Sequence, residues 1–205
     1  PEHLKVTTLT GIKDYLSQDP DAILSSGDDV LIIHVNSHAT VTVHGTLIGS
    51  FEQRKTYLRA ELQAVQSFNF GQYYQPEDFI VGLQAFFIPD ETTAAILSIV
   101  GNIKDSIVAS YSDDGVSQAV KIRQGVQRVE NTPVPNPVLL RPYRTFREID
   151  QPASRFLLRM RSGASSDSPP TIALFETDGG EWRLQAISRI RDWLAENTEE
   201  ITIIA

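Results

Sequence analysis

The chain has 205 residues, 41% of them hydrophobic and 21% charged, enough to bury about 70% of its unfolded surface and too apolar for a disordered polyelectrolyte. Its formal charge of -8 gives a self-repelling surface and argues against a general basic coat for nucleic acid. The absence of cysteine excludes disulfides, thiolate nucleophiles, zinc–thiolate sites and iron–sulfur clusters.

The first element read along the chain is "TTLTGIKDYLSQDPD", with Leu9, Ile12 and Leu16 at helical spacing, Thr8 as N-cap and Pro20 as the stop. "VLIIHVNSHATVTVHGTL" alternates, which predicts two paired strands with Leu31, Ile33, Val35, Val41 and Val43 on one apolar face and a turn at Ser37-His38-Ala39. "KTYLRAEL" reads as a third strand. Two helices follow. The first has Pro76 in its first turn, Glu77 and Asp78 near the positive end of the dipole, and a stripe of Phe79, Leu83 and Phe86. The second has Asp90 as cap and Leu97, Val100 and Ile103 facing inward. Two alternating runs around Asp114-Gly115 read as a hairpin.

The three prolines of 130–137 predict a stiff loop. Residues 141–161 then read as two strands, and the serine-rich 162–170 as an exposed loop. "TIALFETDGGEWRL" is a strand with a Gly-Gly turn. An amphipathic helix follows, with Leu184, Ile187, Ile190 and Leu194 on one stripe. The apolar "ITIIA" at 201–205 reads as a strand that completes its own sheet or extends the edge of a neighbouring subunit. The fold class expected is α+β, a mostly antiparallel sheet built from hairpins with about four helices packed on it, in one domain over 1–205 with 130–137 and 162–170 as internal excursions. No apolar run approaches the ~18 residues of a membrane span, so no membrane partner is expected.

Chemistry-bearing motifs are few. Neither phosphate-binding glycine loop is present, nor is the G-x-S-x-G elbow of α/β-hydrolases. His34, His38 and His44 lie close in sequence, but without H-E-x-x-H or H-x-H spacing. His34 and His44 fall diagonally on the polar face, which makes them weak metal candidates and better solvent-facing or hydrogen-bonded side chains. Most of the acidic doublets sit at turns and helix starts, where they satisfy backbone amides. No catalytic residue and no cofactor is expected.

The concentrated feature is "RPYRTFREIDQPASRFLLRMRSG", residues 141–163. Within 141–161 six arginines face Glu148 and Asp150, a net +4 that leaves -12 for the rest of the chain. Strand parity points Arg141, Tyr143 and Arg147 one way, and turns Arg155, Arg159 and Arg161 away from Phe156, Leu158 and Met160. Guanidinium forks bind phosphate in bidentate fashion and an aromatic ring stacks on a base. The six residues Arg141, Tyr143, Arg147, Arg155, Arg159 and Arg161 therefore form the expected ligand-binding set. The bland reading, arginines paired with nearby acids or serving a subunit contact, stands beside it.

The segment "VPNPVLLRPYRTFREIDQPASRFLLRMRSG", together with "TLTGIKDYL", "YSDDGVSQAVKIRQGV" and "FETDGGEWRLQAI", resembles the YfdQ-like family of bacteriophage and prophage proteins, from about Thr8 to Leu194. The family has no established activity, so the resemblance implies only context: a protein of temperate phage made in the cytoplasm of a bacterial host. The expected function is a non-catalytic, homo-oligomeric phage protein whose arginine-rich face binds a small anionic ligand, a nucleotide above all, in a role such as sequestering a host defence signal. The alternative is an accessory of phage recombination or replication that binds single-stranded DNA along the same face. A metal-dependent hydrolase using His34 and His44, and a structural phage protein, are further alternatives.

Overall fold

The computed structural model describes residues 3–27, 29–50, 52–64, 66–104, 107–113, 118–123, 129–134, 136–161 and 168–205, with the backbone alone over 104–134. In chain order the elements are β1 (Leu4–Val6), α1 (Leu9–Gln18), α2 (Ile23–Ser26), β2 (Ile32–Ser37), β3 (Thr40–Ile48), β4 (Gln53–Glu61), α3 (Pro76–Phe86), α4 (Glu91–Lys104) and β5 (Ile107–Asp113). They continue with β6 (Gln118–Arg123), β7 (Val129–Val134), β8 (Val138–Leu140), β9 (Ser154–Arg161), β10 (Thr171–Glu176), α5 (Trp182–Asn197) and β11 (Thr202–Ile204). The class is α+β, with mostly antiparallel pairing. The single domain read from the sequence groups into two compact units: Pro1–Val65, Arg144–Pro152 and Trp182–Ala205 form the first, and Gln66–Tyr143 with Ala153–Glu181 the second. No helix of the described residues is long and apolar enough to cross a membrane.

The first unit is a five-stranded sheet in the order β1-β4-β3-β2-β11. β2, β3 and β4 form an antiparallel meander, while β1 and β11 join its two sides in parallel. The period-two pattern works as expected: Ile33, Val35, Val41 and Val43 are buried on one face with Leu58 and Ala60, under Leu9, Ile12 and Leu16 of α1 and Ile190 and Leu194 of α5. Thr8 caps α1, its hydroxyl accepting from Gly11 N–H at 3.1 Å. "ITIIA" completes its own sheet through the β11–β2 pairing. Leu184 is a correction. It is 70% exposed, and the buried stripe of α5 is Trp182, Ala186, Ile190 and Leu194. Two residues on a helix turn about 200°, so a helix that buries Trp182 must turn Leu184 outward.

A loop of this unit is built on one side chain. Gln151, 3% exposed, accepts from the N–H groups of Arg144 (2.9 Å) and Thr145 (3.1 Å) and donates to the carbonyl of Phe146 (2.9 Å). This amide takes the place of a strand ladder. Together with the bonds of Arg141 C=O to Ile88 N–H and of Tyr143 N–H to Phe86 C=O, both 2.9 Å, it explains why the first half of the arginine block is not the strand read from the sequence. β8 stops at Leu140, Pro142 contributes only an isolated bridge to Phe87, and a proline has no N–H to continue a ladder.

In the second unit β10, β9 and β8 form one antiparallel sheet and β5, β6 and β7 another. The hairpin expected around Asp114-Gly115 pairs as β5 and β6, its turn lying outside the described residues. The stiff loop expected over 130–137 is a correction: Val129–Val134 form β7. β7 is an edge strand, where Pro133 can turn its missing donor away from β6. Of the serine-rich loop, 162–167 lie outside the described residues. One face of β8–β10 packs on α3 and α4 through Phe79, Leu83, Ile96, Val100 and Ile103, with Phe87 fully buried beside them. Phe156 stacks on Phe70 at 4.9 Å between ring centroids, and Phe68 meets Phe79 and Phe87 edge-on at 5.7 and 5.3 Å. Asn136 finishes the sheet with its side chain, accepting from Leu158 N–H (2.7 Å) and donating to Leu158 C=O (3.0 Å).

Candidate functional site

β9 carries the site. Ser154, Phe156, Leu158 and Met160 are buried, so strand alternation turns Arg155, Leu157, Arg159 and Arg161 to the opposite, outer face. Cross-strand register adds Thr171, Ala173 and Phe175 from β10 opposite Arg161, Arg159 and Leu157, and Leu139 from β8 opposite Arg155. None of these outer-face positions is acidic. Arg155 and Arg161 are exposed, and Arg159 is half-buried.

An aromatic edge completes the face. Tyr74 bridges to Ile172 through bonds of 2.8 and 2.9 Å, and Gly71 N–H donates to Leu174 C=O at 2.8 Å. The 71–74 segment is thereby laid along the free edge of β10. Gly71 has φ +79° and its open α-carbon side faces the Phe175 ring, a conformation that favours glycine. Tyr74 joins the core. The Arg161 guanidinium sits 4.0 Å over the ring of Tyr73, which meets Phe175 edge-on at 6.0 Å. That stack holds Arg161 in place and leaves the edges of its fork for an anion. Tyr73 and Phe175 were missed by the sequence reading. Phe175 was reachable by parity within "TIALFE", whereas Tyr73 depends on an edge bridge that no local pattern announces.

Arg141 and Tyr143 do not join this face. Arg141 turns to Asp90, Nη2 to Oδ2 at 3.5 Å, and Asp90 also caps α4 through Thr93 N–H at 2.9 Å. Tyr143 clips onto the end of α3, its N–H donating to Phe86 C=O at 2.9 Å. Arg147 is exposed and belongs to the first unit. So does Arg144, which lies 4.0 Å over the Trp182 ring, with Arg183 at 4.8 Å from the same ring and His38 edge-on at 4.7 Å. Burial, with Arg183 and Arg144 beside it, lowers the pKa of His38.

His34 and His44 sit diagonally on the polar face as the register requires, with ring centroids 6.1 Å apart. Among the described residues no group of three or more His, Asp or Glu is placed to hold a metal ion. The two rings belong instead to a hydrogen-bond relay. Thr42 gives its single hydroxyl proton to Asn36 Oδ1 at 2.9 Å, so His44 Nε2 must be the donor in its 2.7 Å contact with Thr42 Oγ1. The Thr56 hydroxyl then donates to His44 Nδ1 at 3.2 Å, and Asn36 Nδ2 to His34 Nδ1 at 2.9 Å. This assignment follows from donor counting. His44 thus carries a proton on Nε2 in this relay.

Burial, with His34 and Arg54 beside it, lowers the pKa of His44. The unfolded chain, with an ordinary histidine pKa of about 6.5, takes up the proton first. The relay's stability is therefore complete above that pH and is lost as pH falls through the lowered folded value. Melting temperature is expected to drop between neutral and mildly acidic pH, and His44→Gln, which cannot be protonated, to reduce that drop. A pH profile unchanged by the substitution contradicts the relay. Comparison of the chain with protein-family models, with curated proteins and with solved structures finds no match.

Proposed function

We propose that the protein binds single-stranded nucleic acid along the outer face of β9 and β10. The observation that carries this reading is the alignment of Arg155, Arg159 and Arg161 on one strand face, with Tyr73 and Phe175 beside them. Span favours the strand over the single nucleotide, the two anionic ligands considered from the sequence. Six residues of β-strand separate Arg155 from Arg161, about 20 Å at the usual rise, several times the width of one phosphate group. A single nucleotide reaches one end of the row, whereas a strand of a few nucleotides reaches all of it and stacks bases on the aromatic pair. The -12 carried elsewhere opposes this weakly, because charges beyond about 8 Å are screened at physiological ionic strength.

The phage context implied by the sequence resemblance fits this role, as an accessory acting on exposed single strands in the bacterial cytoplasm. A homo-oligomer is part of the same proposal. β11 ends the strand order of its sheet and offers an edge for a second copy, which a mass measurement in solution tests.

Fluorescence anisotropy of a labelled oligothymidine titrated with the full chain tests the binding. Single-stranded contacts contribute about -0.7 per neutralised phosphate to the slope of log affinity against log salt. Three arginines then give a slope near -2, by the same principle. Absent binding at low salt, or a slope near zero, overturns the proposal.

A further inference from the structure

A second site is carried by the first unit. β1 pairs with β4 only over Leu58, Arg59 and Ala60. Toward its start, β4 has β3 on one edge and no strand on the other among the described residues. Its pairing with β3 also shifts register around His44 and again before Leu47, an irregularity that re-aims side chains. The consequence is a cleft of about 1120 Å³ lined by five consecutive residues, Gln53 to Tyr57, where a flat, doubly paired strand would present alternate residues only. Its remaining walls include His3, Asp21 and Asp29.

The polar groups of the cleft divide into those already occupied and those available. Asp29 is occupied. Its Oδ1 accepts from Thr46 N–H (2.8 Å), the Thr46 hydroxyl (2.7 Å) and Val30 N–H (2.9 Å), and its Oδ2 from the Tyr57 hydroxyl (2.8 Å). A Cβ at Gly45 would collide with Oδ2, so only glycine lets the carboxylate lie there. Burial pushes the Asp29 carboxyl up, but these hydrogen bonds outweigh it and hold it below the usual carboxylate range. Asp21 is available. Its Oδ2 accepts from Tyr15 at 2.9 Å, and no partner of Oδ1 is present among the described residues.

On the donor side, Arg54 Nη1 is tied to Gly45 C=O at 3.0 Å, which fixes the fork and leaves its other N–H groups. Lys55 Nζ rests 4.3 Å over the Tyr57 ring. His3 Nε2 is buried without a hydrogen-bond partner among the described residues.

Two carboxylates and two permanent cations cancel, so a bare anion gains little here. A guest that offers hydroxyl donors to Asp21 and an anion to Arg54 and Lys55 satisfies both halves at once. The volume exceeds what an inorganic ion fills and suits a ligand of nucleotide size. We propose that the cleft binds a phosphorylated sugar unit, its phosphate on Arg54 and Lys55 and its hydroxyls on Asp21.

Calorimetric titration of the full chain with adenosine monophosphate, ribose phosphate and inorganic phosphate tests this. Both esters are expected to bind about tenfold tighter than inorganic phosphate, the worth of one charge-assisted hydrogen bond. Equal affinity for the two esters names a sugar phosphate as the guest, and tighter binding of adenosine monophosphate names a nucleotide. Asp21→Asn separates charge from hydrogen bonding by sign: it weakens the esters about tenfold and tightens inorganic phosphate. Lys55→Gln, at an exposed position that does not threaten folding, weakens all three. Esters that bind no tighter than inorganic phosphate, an Asp21→Asn variant that shifts all three ligands alike, or no saturable binding at millimolar concentration overturns the proposal. The Arg155→Glu/Arg161→Glu protein is expected to keep these affinities, so failure here is distinguishable from failure of the strand face.

Discussion

Replacing Arg155 and Arg161 together by glutamate is expected to weaken oligothymidine binding by about a hundredfold or more. A hydrogen bond to a charged group contributes about 1.5–3 kcal/mol, and reversal adds repulsion where a contact is removed. Both side chains are on the solvent side of β9, so the fold loses only the Arg161–Tyr73 stack, about 0.5–1 kcal/mol. Arg141→Gln is the matched control from the same block. Its guanidinium is engaged with Asp90 in a partly exposed pair, worth about 0–1 kcal/mol, and binding is expected to stay within about twofold of the parent, since no strand contact is lost. If Arg141→Gln weakens binding as much as the double reversal, the strand face is not the site, and a diffuse attraction to the whole block is at work.

Phe156→Ala is expected to cost about 3–5 kcal/mol, the usual range for a fully buried aromatic. Phe156 is 0% exposed. It stacks on Phe70, meets Phe87 edge-on at 6.4 Å, and lies on β9 between two of the site's own positions, Arg155 and Leu157. Aromatic pairs add about 0.5–1.5 kcal/mol beyond area burial, and a Cβ added at Gly82 would meet the Phe68 ring at 3.1 Å, so the cluster has little slack to collapse into the cavity. Chemical denaturation reads the loss directly. A cost within about 0.5 kcal/mol, the range of ordinary surface changes, contradicts the packing described. Phe156→Leu, which refills most of the volume, is expected to recover part of the stability and all of the binding.

Period-two alternation was legible wherever a strand has one buried face. Ile33, Val35, Val41 and Val43 were assigned to the core from pattern alone, and the same rule separated Arg155, Arg159 and Arg161 from Phe156, Leu158 and Met160. It failed at 141–147 because Arg141 and Tyr143 bond to the backbone of Ile88 and Phe86 and the backbone of 144–146 is satisfied by a side chain, Gln151, neither of which has a periodic signature. It failed again at Leu184, where several registers of an amphipathic helix are compatible with the sequence and the burial of Trp182 selects one. Pro133 read as a loop because its tolerance depends on β7 being an edge, a fact of sheet order rather than of sequence. The pairing of Arg141 with Asp90 joins residues 51 positions apart, beyond the reach of local pattern, and it removed one arginine from the expected set. The cleft of the first unit was invisible for the same reason: it lies along Gln53 to Tyr57, the stretch of β4 that precedes its pairing with β1 at Leu58.

Ultraviolet cross-linking of an oligothymidine to the full chain, followed by peptide mapping, tests the central claim most directly, since stacked bases react with the rings they touch. The account predicts adducts at Tyr73 and Phe175, lost when Arg155 and Arg161 are both reversed to glutamate. Adducts confined to Trp182, Trp193 or Tyr57 of the first unit, or persisting on Tyr73 and Phe175 after the reversal, contradict it.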